Sequence, residues 1–239
     1  MAEQRKLDTF PEENVTEIRI NTAYAAVYFE ETKDHQIRVE AEKIGEEDYS
    51  CTLQEGCLEV VLEQKRKFFS VRHGDVPVIR LYLPRGHRFH AITLKNGAGD
   101  VHMEQEKISC DTIKAEIGAG KWTVSGMIVE KCLRAEIGAG DVTMSQMDVK
   151  RMDVSCGVGN FNYQGKLSGD SKIECGMGNC KLQLDQKESD FGYDMKLGMG
   201  KIVVNNRSIK NKETRIRREN TLGTLSLECG MGKIEVETE

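Results

Sequence analysis

Three groups of residues in this chain of 239 could do chemistry by their type and spacing. The first is a Gly-x-Gly element that occurs seven times: Gly97-Ala98-Gly99, Gly118-Ala119-Gly120, Gly138-Ala139-Gly140, Gly157-Val158-Gly159, Gly176-Met177-Gly178, Gly198-Met199-Gly200 and Gly230-Met231-Gly232. Glycine-rich corners cradle phosphate when they open a helix as G-x-G-x-x-G or G-x-x-x-x-G-K-[ST]. Neither pattern occurs. Calcium-binding turns of nonapeptide repeats carry Asp in every turn. Here the residue after the corner is Asp100, Lys121, Asp141, Asn160, Asn179, Lys201 or Lys233, and the lysines would repel a divalent ion.

The second group is the eight cysteines and five histidines. Cys51, Cys57, Cys110, Cys132, Cys156, Cys175, Cys180 and Cys229 include no C-x-x-C pair, so a zinc knuckle or thioredoxin-type site has no support. Cys156, Cys175 and Cys229 read as small core residues. His35, His73, His87, His90 and His102 are scattered. His87 and His90 fall on opposite faces of a strand and suit no shared metal. No catalytic, cofactor-binding or metal-binding residue is assigned, and no cofactor is expected.

The third group is charged. Glu116, Glu136, Glu174 and Glu228 occupy one register before their corners, which could stack carboxylates on an outer face as a carbohydrate-active solenoid would need. Lys114, Arg134 and Lys172, two positions earlier, would offset their repulsion. Between Asn205 and Thr224 lie Arg207, Lys210, Lys212, Arg215, Arg217 and Arg218 against Glu213 and Glu219. This run is the candidate partner-docking loop, suited to an anionic protein or membrane surface if it is not simply a solvated loop.

The elements that must position these groups follow from a repeat. Successive first glycines are 21, 20, 19, 19, 22 and 32 residues apart, the last interval holding the insertion NNRSIKNKETRIRREN. On either side of each corner apolar and polar residues alternate, as in Ile113/Ala115/Ile117 before and Trp122/Val124 after. Alternation with period two marks a half-buried strand. Each unit is therefore strand, corner, strand and a short third side such as MIVE or MDVK. One such unit cannot cover its own apolar face, so successive units must stack.

The reading is an all-β solenoid of about seven ~20-residue rungs, built from parallel neighbours roughly 4.8 Å apart. An antiparallel meander is the rival, and recurrence of like residues at like positions favours the solenoid. The corners are expected to need glycine for its φ > 0 conformations. The middle residue grows from Ala119 and Ala139 to Val158, Met177 and Met231. The residue before the corner shrinks meanwhile from Ile117 and Ile137 to Cys156, Cys175 and Cys229. This exchange is expected to keep the interior filled. One β-solenoid domain is expected over 1–239, with 1–95 as irregular rungs or a β cap and 96–239 as regular rungs carrying the insertion at 205–224. Gln54-Glu55-Gly56 suggests a hairpin turn in the first part.

VPVIRLYLPRG leading into ITLKNGAGDVHM, the row of Gly-x-Gly corners and the closing LSLECGMGKIEV resemble the bacterial putative-adhesin family of β-strand-repeat domains, related to head-GIN domains. The resemblance runs from about Val15 to Glu239. It implies a right-handed β-solenoid of unknown function and supplies no catalytic residues.

The 34 Lys+Arg against 39 Asp+Glu give a net charge of -5, which argues against a nucleic-acid binder. No apolar run reaches the ~20 residues of a transmembrane helix. The opening MAEQRKLDTFPEEN carries no secretory signal, so a cytoplasmic location is expected, with cell-envelope association left open by the resemblance. The functional expectation is a non-enzymatic interaction module that meets a protein, an anionic surface or another copy of itself. A carbohydrate-binding or carbohydrate-active solenoid is the alternative, although aromatics make up only 6% of the chain. An intracellular envelope-stress sensor acting through a protein partner is the third.

Overall fold

The computed structural model describes residues 4–45, 48–63 and 76–239, apart from the side chains of 4 and 105–107. His73 lies outside the described residues. Strands dominate, joined by 3-10 turns at Glu12–Asn14 and Glu188–Asp190.

The alternating segments form parallel ladders, as the solenoid reading requires and the meander does not. Leu133, Ala135 and Ile137 pair with Ile113, Ala115 and Ile117 on one side and with Met152, Val154 and Cys156 on the other. Across the corner, Trp122 pairs with Val101 and Val142, and Val142 with Phe161. The third side is shorter: Cys110, Val129, Val149 and Leu167 pair in turn. All the inward residues just named are buried. Each aliphatic side chain removed from water this way contributes roughly 1.5–3 kcal/mol before chain entropy is counted.

The rungs do not stack in chain order at either end. After Asn179–Leu184 the chain turns at Glu188–Asp190 and lays Phe191–Leu197 one place too far out. The last rung then fills the gap. Leu225, Leu227 and Cys229 pair with Ser171, Ile173 and Cys175 below and with Tyr193, Met195 and Leu197 above. Beyond the corner, Ile234 lies likewise between Cys180 and Ile202. The corners therefore stack in the order Gly97, Gly118, Gly138, Gly157, Gly176, Gly230, Gly198. The other end mirrors this. Glu17–Tyr24 sits between Cys57–Leu62 and Arg88–Ala98, and Ala26–Thr32 sits between Val78–Pro84 and the strand that starts at Val101.

Antiparallel strands cover both ends, where open edges would otherwise template further pairing. Gln4–Pro11 pairs with Gln36–Ile44, which pairs with Val78–Pro84. Tyr49–Gln54 pairs with Cys57–Leu62 through a turn whose Glu55 and Gly56 both have positive φ (49° and 83°). So the N-terminal third supplies rungs as well as a cap. At the opposite end, Arg207–Ser208 pairs with Lys201–Val204 and Glu213–Ile216 with Phe191–Leu197.

Two expectations about the corners need correction. The middle residue faces solvent: Ala119 and Ala139 are exposed, as are Val158, Met177 and Met231, so no volume exchange occurs across the corner. The smaller Cys156 and Cys175 instead place their thiols to donate to the carbonyls of Gly159 (3.1 Å) and Gly178 (3.0 Å) in their own corners. Nor is positive φ the general reason for glycine, because among the corner glycines only Gly99 and Gly120 adopt it. Close approach is the reason. A Cβ at Gly178 would lie 1.9 Å from the Gly159 carbonyl oxygen, and one at Gly159 would lie 1.9 Å from that of Gly140.

Candidate interaction site

Since the middle residue of each corner points outward, the stack turns these residues into a line along one edge of the molecule. Backbone bonds set their order. The amides of Ala139, Val158, Met177, Met231 and Met199 donate to the carbonyls of Gly118, Gly138, Gly157, Gly176 and Gly230, respectively. The line begins with small residues and ends with large ones. Val158, Met177, Met231 and Met199 are 58%, 57%, 56% and 83% exposed, and they account for most of the large exposed apolar side chains among the described residues. At about 4.8 Å per rung the four make a ridge roughly 15 Å long. A contiguous apolar patch on an otherwise charged surface marks a site of association.

On the side after the corner, the ridge is flanked by polar residues that bond along the stack. Asn160 Nδ2 donates to Asp141 Oδ1 (2.6 Å), and Asn179 Nδ2 donates to Asn160 Oδ1 (3.0 Å). Lys233 and then Lys201 continue the column. On the side before the corner runs the expected carboxylate column: Glu116, Glu136, Ser155, Glu174 and Glu228 pair in sequence, with Lys196 closing it. Glu116, Glu136, Ser155 and Glu174 of this column line a shallow open groove with Lys95, Arg134 and Asp153. Neighbouring cations offset its charge. Lys114 and Lys95 lie 2.8 and 3.0 Å from Glu116, and their hydrogen bonds, Lys114's first, hold its carboxyl below the ordinary range. Lys172 lies 2.5 Å from Glu174 and Arg134 3.6 Å from Asp153. The groove has no aromatic wall on which a sugar ring would stack.

The insertion caps the final rung. Ile209 N donates to Ile202 O (2.9 Å) and Leu197 N to Lys212 O (2.7 Å), so Lys210, Asn211 and Lys212 pass directly beside the corner that carries Met199. Half of the proposed docking cations are engaged within the chain. Arg207 and Arg218 both bond the Glu188 carboxylate, which Asn205 Nδ2 also reaches at 2.9 Å. Arg218 further donates to the carbonyls of Glu188 and Phe191 and lies over the Tyr193 ring at 5.6 Å. Arg215 pairs with Asp194 at 3.1 Å. Burial is the largest single influence on Glu188 and raises its pKa. The bonds from Arg207, Arg218 and Asn205 together outweigh it and leave the carboxyl below its ordinary value. Lys210, Lys212 and Arg217 hold no ion pair among the described residues, and neither does Lys201.

Cys156, Cys175 and Cys229 form a buried ladder, and Cys180 lies across the corner from it. Hydrogen bonds from Cys180 to Cys156 and Cys175, together with burial, push the Cys180 thiol far up. Among the described residues no three His, Cys, Asp or Glu side chains are grouped to hold a metal ion. His35 bonds Glu12 (2.6 Å), His87 Nε2 lies 3.0 Å from the Val15 carbonyl, and His102 stacks on Tyr28. No described helix is long and apolar enough to cross a membrane.

Sequence reasoning missed the ridge because alternation, extended through the corner, places its side chains inside. The signal that could have found it is the glycine on both sides, which turns the backbone between two inward residues.

Residues 15–198 match the model of the Toastrack DUF4097 family. Similar solved structures include a putative adhesin from Bacteroides fragilis NCTC 9343, 16% identical with TM-score 0.61 over 98% of this chain and 97% of that one. A putative adhesin from Parabacteroides distasonis ATCC 8503 is 12% identical, with TM-score 0.52 over 99% and 97%. At these identities the likeness concerns the fold. No curated protein matches the chain in sequence.

Proposed function

We propose that this chain, which belongs to the Toastrack DUF4097 family, is a non-enzymatic interaction module that engages its partner through the C-terminal half of its corner ridge and the adjoining 205–224 insertion. One observation carries the reading: four large apolar side chains stand exposed on consecutive rungs, beside Lys201, Lys210 and Lys212, which hold no ion pair among the described residues. Exposing them costs free energy that only association recovers. The names of the two adhesin-like structures agree with an interaction role. The carboxylate groove fits a carbohydrate site less well, since Glu116, Asp153 and Glu174 are held by neighbouring Lys and Arg.

A photo-crosslinking side chain installed at Met199 or, separately, at Arg134 in the groove tests this in cells that express the chain. Adducts from position 199 and none from 134 support the reading. Adducts from 134 alone, or from neither, overturn it.

A further inference from the structure

The ridge ends in a cluster of lysines, and that juxtaposition suggests what it meets. Met199, the most exposed of the four apolar residues, has Lys201 two residues ahead, at the start of the strand Lys201–Val204. The insertion carries Lys210 and Lys212 past the same corner, as the bonds Ile209 N to Ile202 O and Leu197 N to Lys212 O require. Lys201 is stacked on Lys233 in the neighbouring strand. Of the nearby carboxylates, Glu235 is 2.7 Å from Lys233, and Glu228 and Glu213 lie in register with Lys196 on the strands either side of it. Lys201, Lys210 and Lys212 are exposed and hold no ion pair among the described residues. The edge thus presents an apolar line with Lys233 and Lys201 on the flank after the corner and Lys210 and Lys212 at its Met199 end, opposite the flank that carries Glu174 and Glu228, on a chain whose overall charge is -5.

Shape narrows the choice of partner. A corner line is convex, so its partner must be concave or deformable. Methionine is unbranched and flexible, suited to a surface without fixed contours. Apolar side chains that enter a headgroup layer while lysines stay at the phosphates describe interfacial binding to anionic lipid. We propose that Val158, Met177, Met231 and Met199, with Lys201, Lys210 and Lys212, dock the chain on an anionic phospholipid surface. This rests on the interaction-module reading and names its partner. The insertion would then serve twice, capping the last rung and charging the foot of the ridge.

Co-sedimentation of the full chain with vesicles tests it, one set of phosphatidylcholine alone and one of equal parts phosphatidylcholine and phosphatidylglycerol. Binding to the mixed vesicles is expected, with little to the neutral ones and progressive release by salt. Met177→Ser, Met199→Ser and Met231→Ser combined should reduce binding to the neutral-vesicle level. Lys201→Gln, Lys210→Gln and Lys212→Gln should each weaken it roughly fivefold. Ile128→Ser, which removes an exposed apolar residue on the third side, should leave it unchanged. Emission from the single, buried Trp122 checks that each variant is folded. Absence of binding to the mixed vesicles, or triple-variant binding equal to that of the parent, overturns the lipid proposal. If the chain instead dimerises in light scattering and Met199→Ser dissolves the dimer, the ridge is a contact between copies. The lipid partner is then wrong, while the module reading stands.

Discussion

The amide of Met231 donates to the carbonyl of Gly176 at 2.7 Å, which places the last corner of the chain directly on the fifth. The sixth corner, Gly198, is thereby pushed to the outside, where Met199 N reaches back to Gly230 O. The final strands are wedged between two rungs that were laid down earlier. They gain ladder bonds on both edges, whereas the outermost rung depends on the antiparallel strands of the insertion.

Close approach of stacked backbones at the corners sets the first prediction. Gly178→Ala would drive a methyl into the Gly159 carbonyl and should destabilise the fold by about 2–4 kcal/mol. Gly192→Ala meets nothing nearer than 3.4 Å and should cost within about 1 kcal/mol. Denaturant unfolding followed by Trp122 emission compares the two. Equal costs would show that corner glycines are not there to let the rungs approach.

The Glu188 clamp sets the second. Its carboxylate ties Arg207, Arg218 and Asn205 to the turn that starts the outermost rung. Glu188→Gln should lower stability by about 1–3 kcal/mol at neutral pH. The folded-state pKa is depressed, so the stabilisation is fully present above the ordinary carboxylate range and is lost as pH falls through the lower folded value. The melting temperatures of parent and variant should therefore converge in acid. A gap that persists or widens there contradicts the clamp.

Thiol reactivity sets the third. Cys110, Cys156, Cys175, Cys180 and Cys229 are buried, and burial pushes the Cys110 thiol up to about 12. Ellman's reagent should leave these five untouched in the native protein and reach them only on unfolding. The half-exposed Cys51, Cys57 and Cys132 can react earlier, with Cys51 held back because burial raises its thiol to about 12. Fast native labelling of Cys175 would mean that the inner corner is open to solvent.

Much of the architecture was legible because stacking repeats chemistry at fixed positions. Ile117, Ile137 and Cys156 lie in one vertical register, the glutamates align, and Met127 and Val129 of MIVE, like Met147 and Val149 of MDVK, face the core while Ile128 points outward. The rung order was not legible, since alternation specifies a face and not a neighbour. Either of the last two units offers an acceptable apolar face to the Gly176 rung. A hint lay in the corners: Cys175-Gly-Met-Gly and Cys229-Gly-Met-Gly match each other, while Leu197 breaks the pattern and sits half-buried at the outside. The first rung escaped notice because its corner, Ala23-Tyr24-Ala25, has no glycine. The insertion read as solvated because its charges dominate. Ile209 and Ile216, which pack against the core, show that it also has an inner side.

Amide–amide nuclear Overhauser contacts in the perdeuterated, nitrogen-15-labelled chain test the stacking order most directly. The order described here predicts cross-strand contacts joining residues 174–175 to 228–229, and 228–229 to 196–197. Contacts joining 174–175 straight to 196–197 would contradict it, return the rungs to chain order, and separate Met177 from Met231 along the ridge.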